Sequence, residues 1–178
     1  MSVPHLITDL AKRIQLLICD VDGVLTTGEI YLNNSEDEFK AFNVKDGLGI
    51  KLLMQHGIEV AVITARRSNV VSRRMAELGI THLYQGQKDK RIAYDELLSR
   101  LSLTSDHVAY IGDDLPDLAL MRECALGIAP ADAVPFVCEQ SDWTLQTAGG
   151  RGAVRETAHL LLEAQDKLSA IHQGYLNK

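Results

Sequence analysis

Short apolar runs alternate with helical patterns along most of the chain, and this alternation restricts its possible folds most strongly. The runs LLI and IEVAVIT show no alternation of apolar and polar residues, so each predicts a strand that is buried on both faces. HVAYIG predicts a further strand, and amphipathic segments predict helices between the strands. Strands that alternate with helices favour right-handed crossovers. We therefore expect an α/β fold, with a doubly wound, mostly parallel sheet that carries helices on both faces.

The 178 residues are enough for one domain with a core of its own, so we interpret 1–178 as a single domain. Within it, the segment 29–44 predicts a small β-hairpin around an Asn-Asn-Ser turn. A Gly-Gly-Arg-Gly loop then precedes a predicted C-terminal helix over 152–172.

Composition excludes several classes of function. A net charge of −6 argues against a nucleic-acid partner, which requires a basic surface. No apolar run is long enough to span a membrane, and the first residues lack the layout of a secretory signal. Three cysteines, an odd number without a Cys-x-x-Cys pair, predict reduced thiols and a cytoplasmic location.

Polar side chains stand where the predicted strands end. Asp20 follows the first strand, Thr64 closes the second, Asp113 follows a later one, and Lys90 begins the helix after another. Because ligands of parallel α/β sheets bind beyond the carboxyl ends of the strands, we expect these four groups to meet at one edge.

These groups suit phosphoryl transfer. Asp20, Asp22 and Asp113 offer the hard oxygen ligands that Mg²⁺ prefers, and a cation would let the two neighbouring acids stay ionised. An ionised aspartate is also a possible nucleophile, while Thr64 and Lys90 could hold phosphate oxygens.

Two of these residues, and two acids near Asp113, also have a purely structural interpretation. Thr64 could simply end a strand, and Lys90 could be a solvated lysine at a helix start, a description that suits Lys88 better. Asp114 and Asp117 could be acids favoured by a helix dipole or supports for the metal site.

Four motifs in order resemble the haloacid dehalogenase superfamily of aspartyl phosphotransferases: Asp20-Val21-Asp22-Gly23-Val24, Thr64, Lys90 and Gly112-Asp113-Asp114. The resemblance implies a Rossmann-like core in which Asp20 is the nucleophile and Asp22 is the general acid and base. It also implies catalytic roles for Thr64 and Lys90, and a Mg²⁺ ion bound by Asp20, Asp113 and the backbone carbonyl of Asp22. Members usually carry an inserted cap domain, but the intervals between these motifs leave room for none.

A second resemblance covers most of the chain. The stretches FNVKDG, TARR, YQGQKDK, GDDLPD and AGGRGAVRE resemble the superfamily's 3-deoxy-D-manno-octulosonate 8-phosphate phosphatases. This implies a Mg²⁺-dependent enzyme that releases the sugar acid (Kdo) and phosphate for lipopolysaccharide synthesis. It implies a homotetramer whose neighbouring subunits contribute to each site. The residues that it implies in substrate binding are Asp22, Asn43, Val44, Lys45, Asp46, Gly47, Arg66, Arg74 and Lys90.

Three alternative functions are compatible with parts of this pattern. A signalling receiver domain is excluded by motif order, because its acidic pair precedes its acceptor aspartate, threonine and lysine. A phosphatase of a related nine-carbon, sialic-type sugar-acid phosphate and a catalytically silent assembly module both stay open.

From chemistry alone, Arg74 is as well explained by a solvated helix face as by a substrate contact, and Arg151 could be a loop residue or an active-site contact across subunits.

Overall fold

The computed structural model describes residues 3–34 and 38–177. Its centre is a sheet of six strands in the order β5-β4-β1-β6-β7-β8, with every neighbouring pair parallel. The strands of this sheet are β1 (Leu16–Cys19), β4 (Glu59–Thr64), β5 (His82–Gln85), β6 (Val108–Ile111), β7 (Leu126–Ala129) and β8 (Trp143–Thr144). The predicted α/β architecture is confirmed, and the sheet is parallel throughout.

Helices cover both faces of the sheet. They are α1 (His5–Lys12), α2 (Val44–Gln55), α3 (Asn69–Leu78), α4 (Lys90–Leu101), α5 (Leu118–Glu123), α6 (Pro135–Gln140), α7 (Ala153–Ala164) and α8 (Leu168–Leu176). Along β1, Leu17 and Cys19 face one apolar cluster, which includes α1, α2 and α7, while Leu16 and Ile18 face the other, which includes α4 to α6. A strand buried on both faces needs no polar alternation, which explains its sequence.

The predicted hairpin is present but shorter than expected. Strands β2 (Tyr31–Leu32) and β3 (Glu38–Phe39) pair in antiparallel fashion, and residues 35–37, which include Ser35 of the predicted turn, lie outside the described residues. Val44, predicted as the last hairpin residue, is instead the first residue of α2. Asn43 caps this helix, because its side chain accepts a hydrogen bond from the backbone N–H of Lys45 at 2.9 Å.

The prediction of one helix over 152–172 was wrong. Helix α7 ends at Ala164 and α8 begins at Leu168, and Asp166 between them has a left-handed backbone with a φ of 57°. Tertiary hydrogen bonds hold the break: the Gln165 amide donates to two carbonyls near α1, and Lys167 Nζ donates to the carbonyl of His56. These partners lie far away in sequence, so the local apolar pattern carried no sign of the interruption.

Two expected absences concern the same described residues. Between Asp20 and Lys90 they contain only the hairpin, two helices and two strands of the sheet, so no cap domain is inserted there. Of the helices in 3–34 and 38–177, none combines the length and the apolar character needed to cross a bilayer.

Candidate active site

The sheet topology brings the predicted catalytic residues to one edge. Strands β4, β1 and β6 are direct neighbours, and Thr64, Asp20 and Asp113 stand at or just beyond their carboxyl ends. The backbone N–H of Asp20 donates to the carbonyl of Ile111 at 3.1 Å, which extends the pairing of β1 and β6 by one residue. Asp20 and Thr64 are both buried.

Lys90 links this edge to α4. Its ammonium group lies 2.8 Å from Asp20 Oδ1 and 2.7 Å from Asp117 Oδ1, and its side chain is almost fully buried. The hydroxyl of Tyr110 also donates to Asp117 Oδ1 at 2.7 Å. Burial alone would lower the pKa of Lys90, but the two carboxylates outweigh it and raise that pKa above its ordinary value. Lys90 is therefore a fixed positive charge beside Asp20, and the exposed Lys88 is the solvated lysine.

Three carboxylates form a cluster suited to a cation. Asp20, Asp113 and Asp117 each place an oxygen within 4.8 Å of the others. Asp113 Oδ1 is buried without a hydrogen-bond partner, and such an orphaned oxygen is costly unless a ligand satisfies it. An all-oxygen donor set fits a hard ion such as Mg²⁺. The Asp22 carboxylate is not part of this cluster.

Burial and neighbouring negative charges raise the pKa values of two carboxyls in this cluster. Burial raises the pKa of Asp20 to about 6, with the charge of Asp117 adding to the rise and Lys90 opposing it. Burial, followed by the charge of Asp20, raises the pKa of Asp113 to about 7. A bound divalent cation would reverse both shifts, because it favours the ionised form of each ligand.

The turn after Asp22 depends on a glycine. Gly23 has a φ of +91°, and a Cβ there would lie only 2.0 Å from Asp113 Oδ2. Any larger residue would therefore collide with the cluster while also straining the backbone. Gly149 packs against the same turn, since its Cβ would lie 1.7 Å from the carbonyl oxygen of Gly23.

Asp22 faces the hairpin. Lys40 Nζ contacts Asp22 Oδ1, and Arg66 Nε lies 3.8 Å from Oδ2. Glu38 lies between the same two cations, with Oε1 at 3.5 Å from Lys40 Nζ and 3.8 Å from Arg66 Nη2, and it accepts a hydrogen bond from the hydroxyl of Ser68. The first strand's end, the hairpin and the start of α3 thus meet in one charged network.

The segment 43–47, predicted to bind substrate, has residues in different environments. Val44 and Lys45 are exposed, and Asn43 donates to the carbonyl of Gly150 at 3.4 Å. A Cβ on Gly47 would lie 2.6 Å from Arg74 Nη2, so the predicted Arg74 side chain crosses this helix start.

Asp46 does not face the solvent. It is buried, and its Oδ1 accepts the backbone N–H of Arg155 at 2.7 Å, near the start of α7. Its carboxylate therefore joins the 43–47 segment to α7.

Arg151, which the sequence left open between a loop residue and an active-site contact, lies in the loop before α7. It is exposed, and with Lys45 and Arg155 it lines a surface cavity of about 410 Å³.

Sequence reasoning missed Lys40 and Tyr110 and undervalued Asp117. Lys40 is one polar residue in a charged hairpin, and only the folded chain shows its side chain buried against Asp22. From the sequence Asp117 could be interpreted only as a helix-start acid or a support for the metal site, because its contact with Lys90 depends on packing at the sheet edge.

Comparison with known proteins agrees with this arrangement. The family of haloacid dehalogenase-like hydrolases matches residues 79–156. The 3-deoxy-D-manno-octulosonate 8-phosphate phosphatase KdsC of Salmonella typhimurium is 52% identical over 165 residues, which cover 93% of this chain and 87% of that protein.

Two solved structures are similar over nearly their whole length. The 3-deoxy-D-manno-octulosonate 8-phosphate phosphatase of Yersinia pestis superimposes with a TM-score of 0.93 at 50% identity, covering 94% of this chain and 90% of that one. The enzyme of that name from Moraxella catarrhalis was solved in complex with magnesium, phosphate and KDO. It has a TM-score of 0.93 at 45% identity, with coverage of 95% and 97%.

Proposed function

The chain belongs to the 3-deoxy-D-manno-octulosonate 8-phosphate phosphatase family of haloacid dehalogenase-like hydrolases, and we propose on that premise that it hydrolyses this sugar phosphate to Kdo and phosphate. This reaction would be a step of lipopolysaccharide synthesis. The observation that supports this most strongly is the buried Asp20, which is held by Lys90 beside the orphaned carboxylate oxygen of Asp113.

In the first half-reaction Asp20 is the nucleophile. One of its carboxylate oxygens bonds to phosphorus while the ester P–O bond breaks, and the electron pair of that bond goes to the sugar oxygen. The Asp22 carboxyl donates its proton to that oxygen, so the products are the free sugar acid and an aspartyl phosphate. Lys90 stays within hydrogen-bonding distance of Asp20 and compensates the negative charge.

In the second half-reaction Asp22 acts as the base. Its carboxylate takes a proton from a water molecule whose oxygen bonds to phosphorus, and the bond from phosphorus to Asp20 breaks. Inorganic phosphate leaves, Asp20 is again a carboxylate and Asp22 is again protonated. The hydroxyl of Thr64, at the end of β4, is suited to hold a phosphate oxygen during both steps.

Mg²⁺ would be held by the carboxylates of Asp20 and Asp113 and by the backbone carbonyl of Asp22. Asp117 would orient these ligands by hydrogen bonding. When bound, the ion supplies charge neutralisation at the phosphate oxygens. Asp117 Oδ2 accepts the backbone N–H of Asp113 at 3.3 Å, which fixes the loop that carries the ligand.

Substrate specificity and metal dependence can be tested together. Phosphate release from Kdo 8-phosphate is expected to exceed that from a nine-carbon sialic-type acid phosphate by about tenfold or more in kcat/KM. Exhaustive EDTA treatment should lower turnover by about 10³-fold, and added Mg²⁺ should restore it. Preference for the nine-carbon acid would reassign the substrate, and the absence of any turnover would favour a silent assembly module.

We further propose that the active form is a homotetramer in which hairpins from neighbouring subunits pack together. In the single chain, Ile30, Tyr31 and Phe39 are 45%, 55% and 59% exposed. A two-stranded ribbon with apolar residues this exposed is at best marginally stable alone. Packing hairpins from several subunits would bury this surface, and it would cover a site that has no cap domain.

Light scattering on the purified protein is expected to give a mass near four times that of the 19.6 kDa chain. Phe39→Asp should shift this mass towards the monomer, because a charge replaces an apolar contact in the hairpin. Phe136→Asp is the matched control, since Phe136 is a similarly exposed phenylalanine that belongs to α6 and not to the hairpin. A fully active monomer would contradict the shared site.

A cytoplasmic location is part of the same proposal. All three cysteines are free, and Cys19 and Cys124 are buried, where burial raises the pKa of each thiol well above its ordinary value. Inert, unpaired thiols suit a reducing compartment.

A further inference from the structure

The side chain of Lys40 contacts Asp22, the predicted general acid and base, and it is more deeply buried than Arg66 beside the same carboxylate. It is only 1% exposed, whereas Asp22 and Glu38, its two carboxylate partners, are each 20% exposed. Burying a lysine costs free energy, because the side chain loses rotamer freedom and hydration. The contacts with Asp22 and Glu38 must offset this cost.

The two oxygens of Asp22 differ in their surroundings. Oδ1 accepts a charge-assisted hydrogen bond from Lys40 Nζ. Oδ2 faces Arg66 Nε at 3.8 Å, which is beyond hydrogen-bonding distance. Lys40 thus fixes one oxygen, while the other stays available for a proton in transit.

We propose that Lys40 is a positioning residue for the general acid: it anchors Asp22 through Oδ1, so that Oδ2 carries the proton to the departing sugar oxygen. This rests on the proposed function, because it assigns Asp22 the proton transfer that accompanies cleavage of the ester P–O bond. It places part of the catalytic machinery on the hairpin, a segment that none of the motifs includes.

Lys40 has a simpler alternative role, in which it merely fastens the hairpin to the core. Glu38 separates the two roles. From β3 it contacts Lys40, Arg66 and Ser68, so we expect Glu38→Gln to weaken the attachment of the hairpin and to leave the contact between Lys40 and Asp22 in place.

The test uses two aryl phosphates whose leaving groups differ strongly in basicity, p-nitrophenyl phosphate and phenyl phosphate. p-Nitrophenolate is a weak base and departs without being protonated. Phenolate is a stronger base, so a proton from a general acid accelerates its departure much more. In Lys40→Met the ratio of kcat/KM for p-nitrophenyl phosphate to that for phenyl phosphate is expected to rise by about tenfold or more over wild type. kcat/KM reports the first half-reaction, so the later role of Asp22 as a base does not enter.

The same rise is expected in Asp22→Asn, while Lys40→Arg should return the ratio towards the wild-type value. Glu38→Gln should leave the ratio unchanged. Circular dichroism checks that each variant is folded, and Lys40→Gln replaces Lys40→Met should the latter not fold.

An unchanged ratio in a folded Lys40 variant would overturn the inference, as would an equal rise in Glu38→Gln. Failure of the proposed function looks different, because wild type would then release no phosphate from Kdo 8-phosphate whatever the aryl ratios are.

Discussion

Asp20→Asn is expected to lower phosphate release by about 10⁴-fold or more while leaving the protein folded. An amide has nearly the shape of the carboxylate but is a poor nucleophile, and no aspartyl phosphate can form on it. In Mg²⁺-free buffer the variant should melt at the same temperature as wild type or higher. Burial already raises the pKa of Asp20 to about 6, so the neutral amide removes an unfavourable charge. Lys90 keeps its second partner, Asp117.

Activity should be measured with Kdo 8-phosphate and melting by calorimetry on the same preparation. Asp95→Asn is the matched control, since Asp95 is an exposed aspartate on α4 and its replacement should change neither quantity. Activity of Asp20→Asn within tenfold of wild type would exclude Asp20 as the attacking group.

Lys90→Met is expected to reduce both activity and stability. Methionine fills similar space, but Asp20 and Asp117 then face each other without the ammonium group that lies within 2.8 Å of both. Removing the ammonium group leaves two buried carboxylates uncompensated, which costs about 3–5 kcal/mol and for a chain of this size lowers the melting temperature by about 10 °C. Activity should fall by about 10²–10³-fold, because one fixed charge near the reacting phosphate is lost.

The loss of stability in Lys90→Met should depend on pH. Burial raises the pKa of Asp20 and Lys90 opposes that rise, so without the ammonium group Asp20 keeps its proton at pH values where an unfolded chain has already released it. The folded state then binds more protons than the unfolded state, so the free energy of unfolding falls as the pH rises above about 4. The deficit relative to wild type should thus be larger at pH 8 than at pH 5. Lys88→Met, at an exposed position two residues earlier, should melt and react like wild type, and an equal loss in both variants would contradict the assignment of Lys90.

The position of Lys90 shows how far sequence reasoning reached. A lysine at the start of a helix that follows a parallel strand is placed at the sheet edge by topology, so its approach to Asp20 could be predicted. Its second contact could not, because Asp117 reaches it through a short helical turn after β6, and that geometry depends on packing.

Local patterns failed where distant parts of the chain decide the structure. The apolar positions of 152–172 continue through the break at Asp166, and only hydrogen bonds to residues near α1 and α2 reveal it. Lys40 was missed for the same reason. It lies 18 residues from its partner Asp22, and nothing in the hairpin's own sequence distinguishes a buried lysine from a solvated one.

The capping of α7 by Asp46 has a consequence for protein engineering. The predicted sugar-contacting segment 43–47 is an obvious target for a randomised library that retunes substrate choice, yet Asp46 is 1% exposed and bonded to the backbone of Arg155, 109 residues further along the chain. Randomising residue 46 would mainly produce variants in which the start of α7 is destabilised. A productive library keeps residue 46 constant and varies Lys45 and Val44, whose exposed side chains can change without disturbing the scaffold.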